Sequence, residues 1–177
     1  MTLPDAEAGA DSLSGRSIIE AIKCAGIRTV AAVPDIHTAR GLLMPIGTDP
    51  DLTVIRTCKE DECLGIAAGL SYGDQRCLIL IQYTGFWYAM NAIRGVAVEQ
   101  SLPICLMVGL LNHTPGTDIG QAKRVGLRAV KPALEAFGIP YHLIESEADV
   151  AKIAPAIDDA YRTRHPVAIL IGRSPEP

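Results

Sequence analysis

The sequence has no excess of positive charge and no hydrophobic run long enough to span a membrane. Sixteen Lys and Arg residues stand against twenty Asp and Glu residues, a net charge of −4. Such a surface offers no basic field to a polyanion, so we expect neither nucleic acid nor an anionic membrane as partner. No apolar run approaches the roughly 20 residues of a spanning helix. The first residues lack the basic start and apolar stretch of a signal peptide, which predicts a cytoplasmic protein.

The cysteines are too few and too scattered for a disulfide framework or a zinc site. Their number is odd and no C-x-x-C pair occurs. Free cysteine usually serves as a small apolar residue, so we predict that each lies on a buried face in a reducing compartment. The five are Cys24, Cys58, Cys63, Cys77 and Cys105.

Three motifs that often give α/β proteins their function are absent. The sequence contains no G-x-x-x-x-G-K-[ST] phosphate loop, no G-x-G-x-x-G after a strand, and no G-x-S-x-G nucleophile elbow. Nucleotide-binding and serine-hydrolase functions therefore lose their main support.

The chain does contain short apolar runs that alternate with helix-length amphipathic segments. Its 177 residues are 49% hydrophobic, which suits one domain. The alternation predicts an open six-stranded parallel α/β sheet with helices on both faces. We predict a flexible arm over residues 1–13 and the folded domain over 14–177. Strands are predicted at 28–33, 52–56, 77–82, 104–108, 141–144 and 167–171. Helices are predicted at 17–25, 38–46, 60–72, 86–98, 123–137 with a break at Pro132, and 149–163.

Parallel sheets bind ligands beyond the carboxyl ends of their strands. The segments to consider there are 34–38, 57–62, 82–88 and 109–120. Three consecutive acids, Glu60 to Glu62, open the helix in the second of them. On spacing alone, Thr57 and Glu60 form a capping box and the acids complement the helix dipole, which can explain the whole stretch. Alternatively, one carboxyl points into a cleft while the others face water.

The acidic stretch and its surroundings resemble a known family. A glutamate at a helix start followed nine residues later by glycine, here Glu60 and Gly69, resembles the pyrimidine-binding domain of thiamine-diphosphate enzymes. The wider set resembles the sulfopyruvate decarboxylase α subunit and the related phosphonopyruvate decarboxylases, from about residue 14 to residue 173. That set is Glu60-Asp61-Glu62-x-x-Gly65-x-x-Ala68-Gly69, Gln82-x-Thr84-Gly85 and Asn91-Ala92-Ile93.

The resemblance implies a thiamine-diphosphate-binding fold and assigns Glu60 a catalytic role. In such enzymes this carboxyl group bonds a ring nitrogen of the cofactor's aminopyrimidine and promotes its imino tautomer. That task needs a carboxyl group in a dry pocket. The resemblance also places further residues against the cofactor, namely Gln82, Thr84, Gly85 and Phe86.

The sequence lacks the other half of such a site. Related enzymes bind the diphosphate through Mg²⁺ with a Gly-Asp-Gly motif and a downstream Asn, and this sequence has no Gly-Asp-Gly. The resemblance therefore implies that a separate β subunit holds diphosphate and Mg²⁺, in an α2β2 assembly. It also implies that the chain alone binds thiamine diphosphate weakly or not at all.

Five residues beside the proposed cleft are candidates for substrate binding. Three of them have an alternative: Asp35 as a turn or cap residue, His37 as an exposed histidine of a first helical turn, and Trp87, with the neighbouring aromatic residues, as packing against the partner subunit. The five are Pro34, Asp35, His37, Tyr83 and Trp87.

The segment 112–118 resembles the His-His-Thr-x-Gly loop of related decarboxylases. His113 matches the second histidine, and a proton relay at neutral pH suits its chemistry; an ordinary loop histidine is the alternative. Sulfonate-binding relatives carry His-Arg-Gly where this chain has residues 110–112, and the missing cation argues against a doubly anionic substrate. His142 and His165 are predicted to be surface residues.

These observations favour the α subunit of a two-subunit thiamine-diphosphate-dependent 2-oxo acid decarboxylase. One alternative is a subunit of a carboligase or of a lyase that cleaves acyloins or diketones, because the first half of the chemistry is shared. The other is a non-catalytic α/β binding module.

Overall fold

The computed structural model of the protein describes residues 12–177, which contain six strands. They are β1 (Thr29–Ala32), β2 (Thr53–Arg56), β3 (Cys77–Gln82), β4 (Cys105–Gly109), β5 (Tyr141–Ile144) and β6 (Val167–Ile171). Every pairing is parallel, and the order across the sheet is β2-β1-β3-β4-β6-β5. The predicted six-stranded parallel sheet is confirmed.

Helices connect the strands and cover both faces of the sheet. The α-helices are α1 (Gly15–Cys24), α2 (Met44–Ile46), α3 (Glu60–Tyr72), α4 (Tyr83–Tyr88), α5 (Met90–Ala92), α6 (Val125–Arg128), α7 (Val130–Ala136) and α8 (Ile153–Thr163). Two π-helical segments, Ala39–Leu43 and Ile93–Val98, and two 3-10 segments, Ile119–Gln121 and Glu147–Lys152, extend them. Within residues 12–177, no helix has the length and apolar character needed to cross a membrane.

The central strands are apolar on both sides because each side faces a separate core. Alternate residues of a strand point to opposite faces. Leu78 and Leu80 of β3 join the core under α1, α2 and α8, whereas Ile79 and Ile81 join the core under α3 to α7. This double burial explains the continuous hydrophobic runs in the sequence.

Two prolines explain where helices start. The break predicted at Pro132 lies instead at Ala129, and Pro132 sits in the first turn of α7. Pro155 similarly occupies the first turn of α8. A first-turn N–H has no partner within its helix, so proline costs no hydrogen bond there.

The folded domain starts slightly earlier than predicted. Leu13 is fully buried in the core, and its carbonyl accepts a hydrogen bond from the Glu176 N–H at 2.9 Å. The predicted boundary at residue 14 therefore lies too far along the chain. The rest of the predicted arm, residues 1–11, lies outside the described residues.

The cysteines divide between core and surface. The prediction that all five are buried is right for Cys63, Cys77 and Cys105 and wrong for Cys24 and Cys58, which are exposed. Burial raises the pKa of the Cys77 thiol to about 12. The buried thiols are therefore inert at neutral pH.

Candidate active site

The sheet order changes direction between β1 and β3, which is where an open α/β sheet is expected to form a ligand crevice. The chain leaves β1 toward β2 on one side and continues through β3 on the other, and ligands of open α/β sheets bind at such a reversal. Three predicted segments follow the carboxyl ends of the strands next to this point: the loop after β1, the start of α3 after β2, and the junction of β3 with α4.

The Glu60 side chain lies directly against Gly85. Glu60 is the first residue of α3 and is half-buried, while Gly85 lies in α4 and is buried. A Cβ atom at position 85 would lie 2.4 Å from Glu60 Oε1 and 2.5 Å from its Cγ, so only glycine leaves room for this carboxylate. Among residues 12–177, no hydrogen bond engages the Glu60 carboxylate. Its acceptor oxygens are therefore free to bind a ligand.

Glu60 does not cap its helix, so the predicted capping box is wrong. Lys59 is the residue that precedes α3, and Thr57 uses its hydroxyl to donate to the Lys59 carbonyl at 2.9 Å. Glu62 does the capping, because its Oε2 accepts from the backbone N–H groups of Cys58 and Lys59 at 3.1 and 3.3 Å. Glu60 is thereby left without a structural task at the helix end.

The segment after β3 is a strand end and a helix start rather than a loop. Gln82 closes β3 and immediately precedes α4, so the helix predicted at 86–98 begins at Tyr83 and is interrupted at Ala89. Thr84 is exposed and donates its hydroxyl hydrogen to Gln82 Oε1 at 2.8 Å. Phe86 is fully buried, so its side chain belongs to the core rather than to the cleft surface.

The aromatic residues Tyr83 and Trp87 pack against the chain's own segment before α7. The Trp87 indole N–H donates to the Gly126 carbonyl at 2.6 Å. The buried Tyr83 ring borders the same glycine: a Cβ at Gly126 would lie 3.3 Å from Tyr83 Cε2. These contacts hold the 122–128 segment onto α4, so Trp87 packs within its own chain rather than against a partner subunit, which was the alternative to its predicted substrate contact.

The loop after β1 is fixed by Asp35. Its Oδ1 accepts from the N–H groups of His37 and Thr38 at 2.6 and 3.1 Å, and its Oδ2 accepts from the Thr38 hydroxyl. Asp35 therefore acts as a turn residue, the alternative given by the sequence. Pro34 before it is exposed.

His37 is buried rather than exposed, contrary to the alternative expected for it. It is 8% exposed, and its Nε2 lies 3.0 Å from the carbonyl oxygen of Ile171 at the end of β6. Because a carbonyl only accepts, Nε2 carries the ring proton. Burial lowers the pKa of His37, which favours its neutral form.

His113 forms a pair with Glu145, a residue that the sequence reasoning missed. The His113 side chain is 1% exposed, and its Nε2 lies 2.5 Å from Glu145 Oε1. Asn112 before it adopts a left-handed conformation with φ 67°, which asparagine tolerates. Glu145 directly follows β5, and the carboxyl ends of parallel strands all lie on the same side of the sheet. Its position in the sequence could therefore have identified Glu145 as a candidate site residue.

A cleft of about 520 Å³ adjoins His113. Lys123 and Arg124 contribute positive charge to its lining, so an anionic group entering the cleft would meet cations. The full lining is Asn112, His113, Thr114, Thr117, Asp118, Gln121, Ala122, Lys123, Arg124 and Leu127.

His142 and His165 line neither the Glu60–Gly85 contact nor the cleft next to His113. Each is half-buried, His142 on the edge strand β5 and His165 just before β6, where its Nε2 lies 3.0 Å from the Gly138 carbonyl. Within residues 12–177, no group of three or more His, Cys, Asp or Glu side chains is arranged to hold a metal ion.

The architecture is an α/β fold consistent with the pyrimidine-binding domain of thiamine-diphosphate enzymes. No family model matches the chain. The chain is similar to the sulfopyruvate decarboxylase subunit alpha of Methanothermobacter thermautotrophicus, with 26% identity over 89% of this chain and 94% of that one. The corresponding subunit of Methanococcus maripaludis is 25% identical over 89% and 93% of the two chains. These similarities support the predicted resemblance to the family of sulfopyruvate decarboxylase α subunits.

A longer relative is also similar. The sulfopyruvate decarboxylase of Methanosarcina acetivorans, whose name carries no subunit designation, is 25% identical over 87% of this chain. The match spans 38% of that protein. This chain therefore corresponds to one part of a larger polypeptide there.

Proposed function

We propose that this chain is the aminopyrimidine-binding subunit of a two-subunit, thiamine-diphosphate-dependent decarboxylase of 2-oxo acids. The observation that carries the proposal is the Glu60 carboxylate, which lies on Gly85 at the crevice and has no hydrogen-bond partner among residues 12–177. The similarity to sulfopyruvate decarboxylase α subunits over most of the chain supports the same function.

The residues present fit the pyrimidine half of thiamine diphosphate. A half-buried carboxylate with open acceptor positions suits a protonated ring nitrogen, and Gln82 and Thr84 supply polar groups at the same strand end. Bound thiamine diphosphate supplies the electron sink for decarboxylation. The task of Glu60 is to hold a proton at the ring nitrogen, and that of Gly85 is to keep other side chains out of its way.

A partner subunit belongs to this proposal. The chain has no Gly-Asp-Gly motif, and the relatives of matching length are named as α subunits. More than half of the M. acetivorans protein lies outside the matched region, which gives room for a second domain in one polypeptide. We assign the diphosphate and Mg²⁺ to a β subunit in an α2β2 complex, with the cytoplasm, where thiols stay reduced, as the compartment.

The substrate is assigned to the side of the crevice near His113. His113 is the proposed proton donor or acceptor, and Lys123 and Arg124 are charged groups available to the acid. The predicted contacts are Pro34, His37, Tyr83 and Trp87, and of these Pro34 is exposed, Trp87 is half-buried, and the other two are buried. Asp35 already accepts three local hydrogen bonds, so its contribution is to shape the loop.

The test uses the chain coexpressed with a candidate β subunit, a polypeptide that carries Gly-Asp-Gly. Carbon dioxide release is measured from sulfopyruvate, pyruvate and phenylpyruvate with thiamine diphosphate and Mg²⁺. We expect Glu60→Gln to lower kcat by at least about a hundredfold, since the amide cannot exchange a proton with the ring. Asp61→Asn, the matched control on an exposed neighbour, should leave kcat unchanged.

Two outcomes would contradict the proposal. Equal kcat for the wild type and Glu60→Gln in an intact complex removes Glu60 from the chemistry. Tight Mg²⁺-dependent binding of thiamine diphosphate to the isolated chain, measured by calorimetry, contradicts the assignment of the diphosphate to a partner. Product analysis with added aldehyde distinguishes decarboxylation from carboligation, and the three acids test whether a doubly anionic substrate is disfavoured.

A further inference from the structure

A second cluster of ionisable groups lies at the carboxyl ends of β4, β5 and β6. His113 follows β4, Glu145 follows β5, and Arg173 lies two residues beyond β6. The His113 and Glu145 side chains are 1% and 19% exposed, so their contact at 2.5 Å is largely shielded from water. Their pairing is therefore an interior feature of the fold rather than a surface ion pair.

Hydrogen bonds fix both the backbone and the carboxylate of Glu145. Its backbone N–H donates to Asp149 Oδ2 at 3.0 Å, and its carbonyl accepts from Arg173 Nε at 2.8 Å. Its Oε2 accepts from the Gly116 N–H at 3.1 Å, and Oε1 faces His113. The carboxylate thus has a fixed position and cannot swing away from the imidazole without breaking other bonds.

Gly172 provides the space for this carboxylate. A Cβ atom at position 172 would lie 2.8 Å from Glu145 Cγ and 2.9 Å from its Oε1. Real Cβ atoms do not approach other atoms so closely, so any larger residue displaces Glu145. The fold therefore reserves a place for the Glu145 carboxylate just beyond β6.

We infer that Glu145 is a positioning residue that holds His113 in the tautomer with its proton on Nε2 and leaves Nδ1 as the working nitrogen. An ionised carboxylate only accepts hydrogen bonds, so the nitrogen facing it must carry the proton. No hydrogen bond within residues 12–177 engages Nδ1, and His113 lines the cleft. In many functional histidines, the group bonded to one ring nitrogen fixes the tautomer and leaves the other nitrogen for the reaction.

The other charged groups near His113 are compatible with this assignment. His37 approaches from the loop after β1 and is held neutral by burial, which lowers its pKa. Arg173 and Asp149 bond the backbone of Glu145, not the imidazole. Asp118, Lys123 and Arg124 line the same cleft, and none of them is hydrogen-bonded to the imidazole. Glu145 is thus the group that fixes the ring proton. That Nδ1 then exchanges a proton with the substrate rests on the proposed function.

The tautomer is tested on the full chain without any partner or cofactor. Long-range ¹⁵N–¹H correlation spectra at alkaline pH, where imidazole is neutral, distinguish the two tautomers of each histidine. His113→Gln assigns the His113 signals. We expect the Nε2–H form in the wild type, and a substantial Nδ1–H population in Glu145→Gln, because the amide can also donate. The exposed Glu147→Gln is the matched control and should retain the wild-type signals.

An Nδ1–H form of His113 in the wild-type spectrum overturns the inference, and so does an unchanged tautomer in Glu145→Gln. The wild-type spectrum suffices even if that variant does not fold. In the assembled enzyme, Glu145→Gln should lower kcat about tenfold or more with little change in KM, and Glu145→Asp should restore part of it. If Glu145→Gln loses the tautomer preference but keeps its kcat, the role of the pair in turnover is overturned. If the wild type is inactive, or Glu60→Gln has unchanged kcat, the result counts against the proposed function alone.

Discussion

Two carboxylates beyond the carboxyl ends of the two outer strands, β2 and β5, have similar steric surroundings and different hydrogen bonding. Glu60 lies on Gly85, and Glu145 lies on Gly172; in both cases a Cβ atom on the glycine would collide with the carboxylate. Yet the Glu145 carboxylate is bonded to His113 and to the backbone N–H of Gly116, whereas the Glu60 carboxylate has no such partner among residues 12–177. The same steric arrangement leaves one carboxylate open and gives the other a hydrogen-bond partner within the chain.

The difference in hydrogen bonding is linked to how deeply each carboxylate is buried. Removing a carboxylate from water is costly unless hydrogen bonds replace those lost. Glu145 receives them from its own chain and tolerates a largely buried place. Glu60 has no such bonds among residues 12–177 and stays half-buried, in contact with solvent. A carboxylate whose oxygens are all hydrogen-bonded within the chain thus suits a positioning role, and one whose oxygens lack such partners suits a binding role.

The largest effect is expected when the glycine under the open carboxylate is replaced. Gly85 lies in a helix with ordinary backbone angles, so Gly85→Ala preserves α4 while its Cβ displaces the Glu60 carboxylate. We expect kcat of the assembled enzyme to fall at least about a hundredfold, as for Glu60→Gln. The double variant should be no worse than either single one, because both remove the same interaction. Full activity in Gly85→Ala would break the comparison.

The second prediction concerns the anchor of the saturated carboxylate. Burial opposes ionisation of Asp149, but hydrogen bonds from Lys152, from the backbone N–H groups of Glu145 and Ser146, and from the Ser146 hydroxyl outweigh it. Its pKa is lowered to about 2. A lowered pKa contributes stability above the unfolded value of about 3.9, and this is lost as the pH falls through the folded value.

Asp149→Asn should therefore lower the free energy of unfolding by about 2 kcal/mol at neutral pH. The difference from the wild type should shrink between about pH 4 and pH 2 and vanish below it. Urea unfolding at several pH values measures it, with the exposed Asp159→Asn as control. A difference that is independent of pH would show that Asp149 acts through packing alone.

The third prediction concerns Glu62, whose capping of α3 leaves the Glu60 carboxylate without a hydrogen bond at the helix start. Glu62 caps α3 through two backbone N–H groups, so Glu62→Ala should destabilise the isolated chain by about 1 kcal/mol. Asp61→Ala, one residue away and exposed, should cost much less. Thermal unfolding of both variants checks this. Equal stabilities would mean that Glu60 takes over the cap, and the contrast between the two acids would weaken.

Local pattern predicted much of the fold, and the resemblance to a known family singled out Glu60 among the three acids. The bounds of β3 and α3 follow from a continuous apolar run and from acids at a helix start, which are signals within a few residues. The choice between Glu60 and Glu62 as the cap was misjudged because both lie in the first turn. Only the identity of the residue before the helix, Lys59 instead of Thr57, decides it.

The pairing of His113 with Glu145 was beyond such signals. The two residues are separated by 32 positions, and their contact depends on β6 lying between β4 and β5. The burial of His37 has the same origin, since its partner carbonyl, at Ile171, is 134 positions away. Strand order is a property of the whole chain, and no short motif encodes it.

The smallest expected effect comes from a glycine that lies against nothing. Gly65 is exposed on α3, and a Cβ atom there would meet no atom within 4 Å. Gly65→Ala should raise the free energy of unfolding of the isolated chain by about 0.5 to 1 kcal/mol, because alanine restricts the unfolded chain and favours helix. Urea unfolding of the isolated chain measures it, with Gly85→Ala beside it. Since both glycines are helical, any difference between the two variants reports the Glu60 carboxylate, and a destabilised Gly65→Ala would mean that helix propensity does not explain the gain.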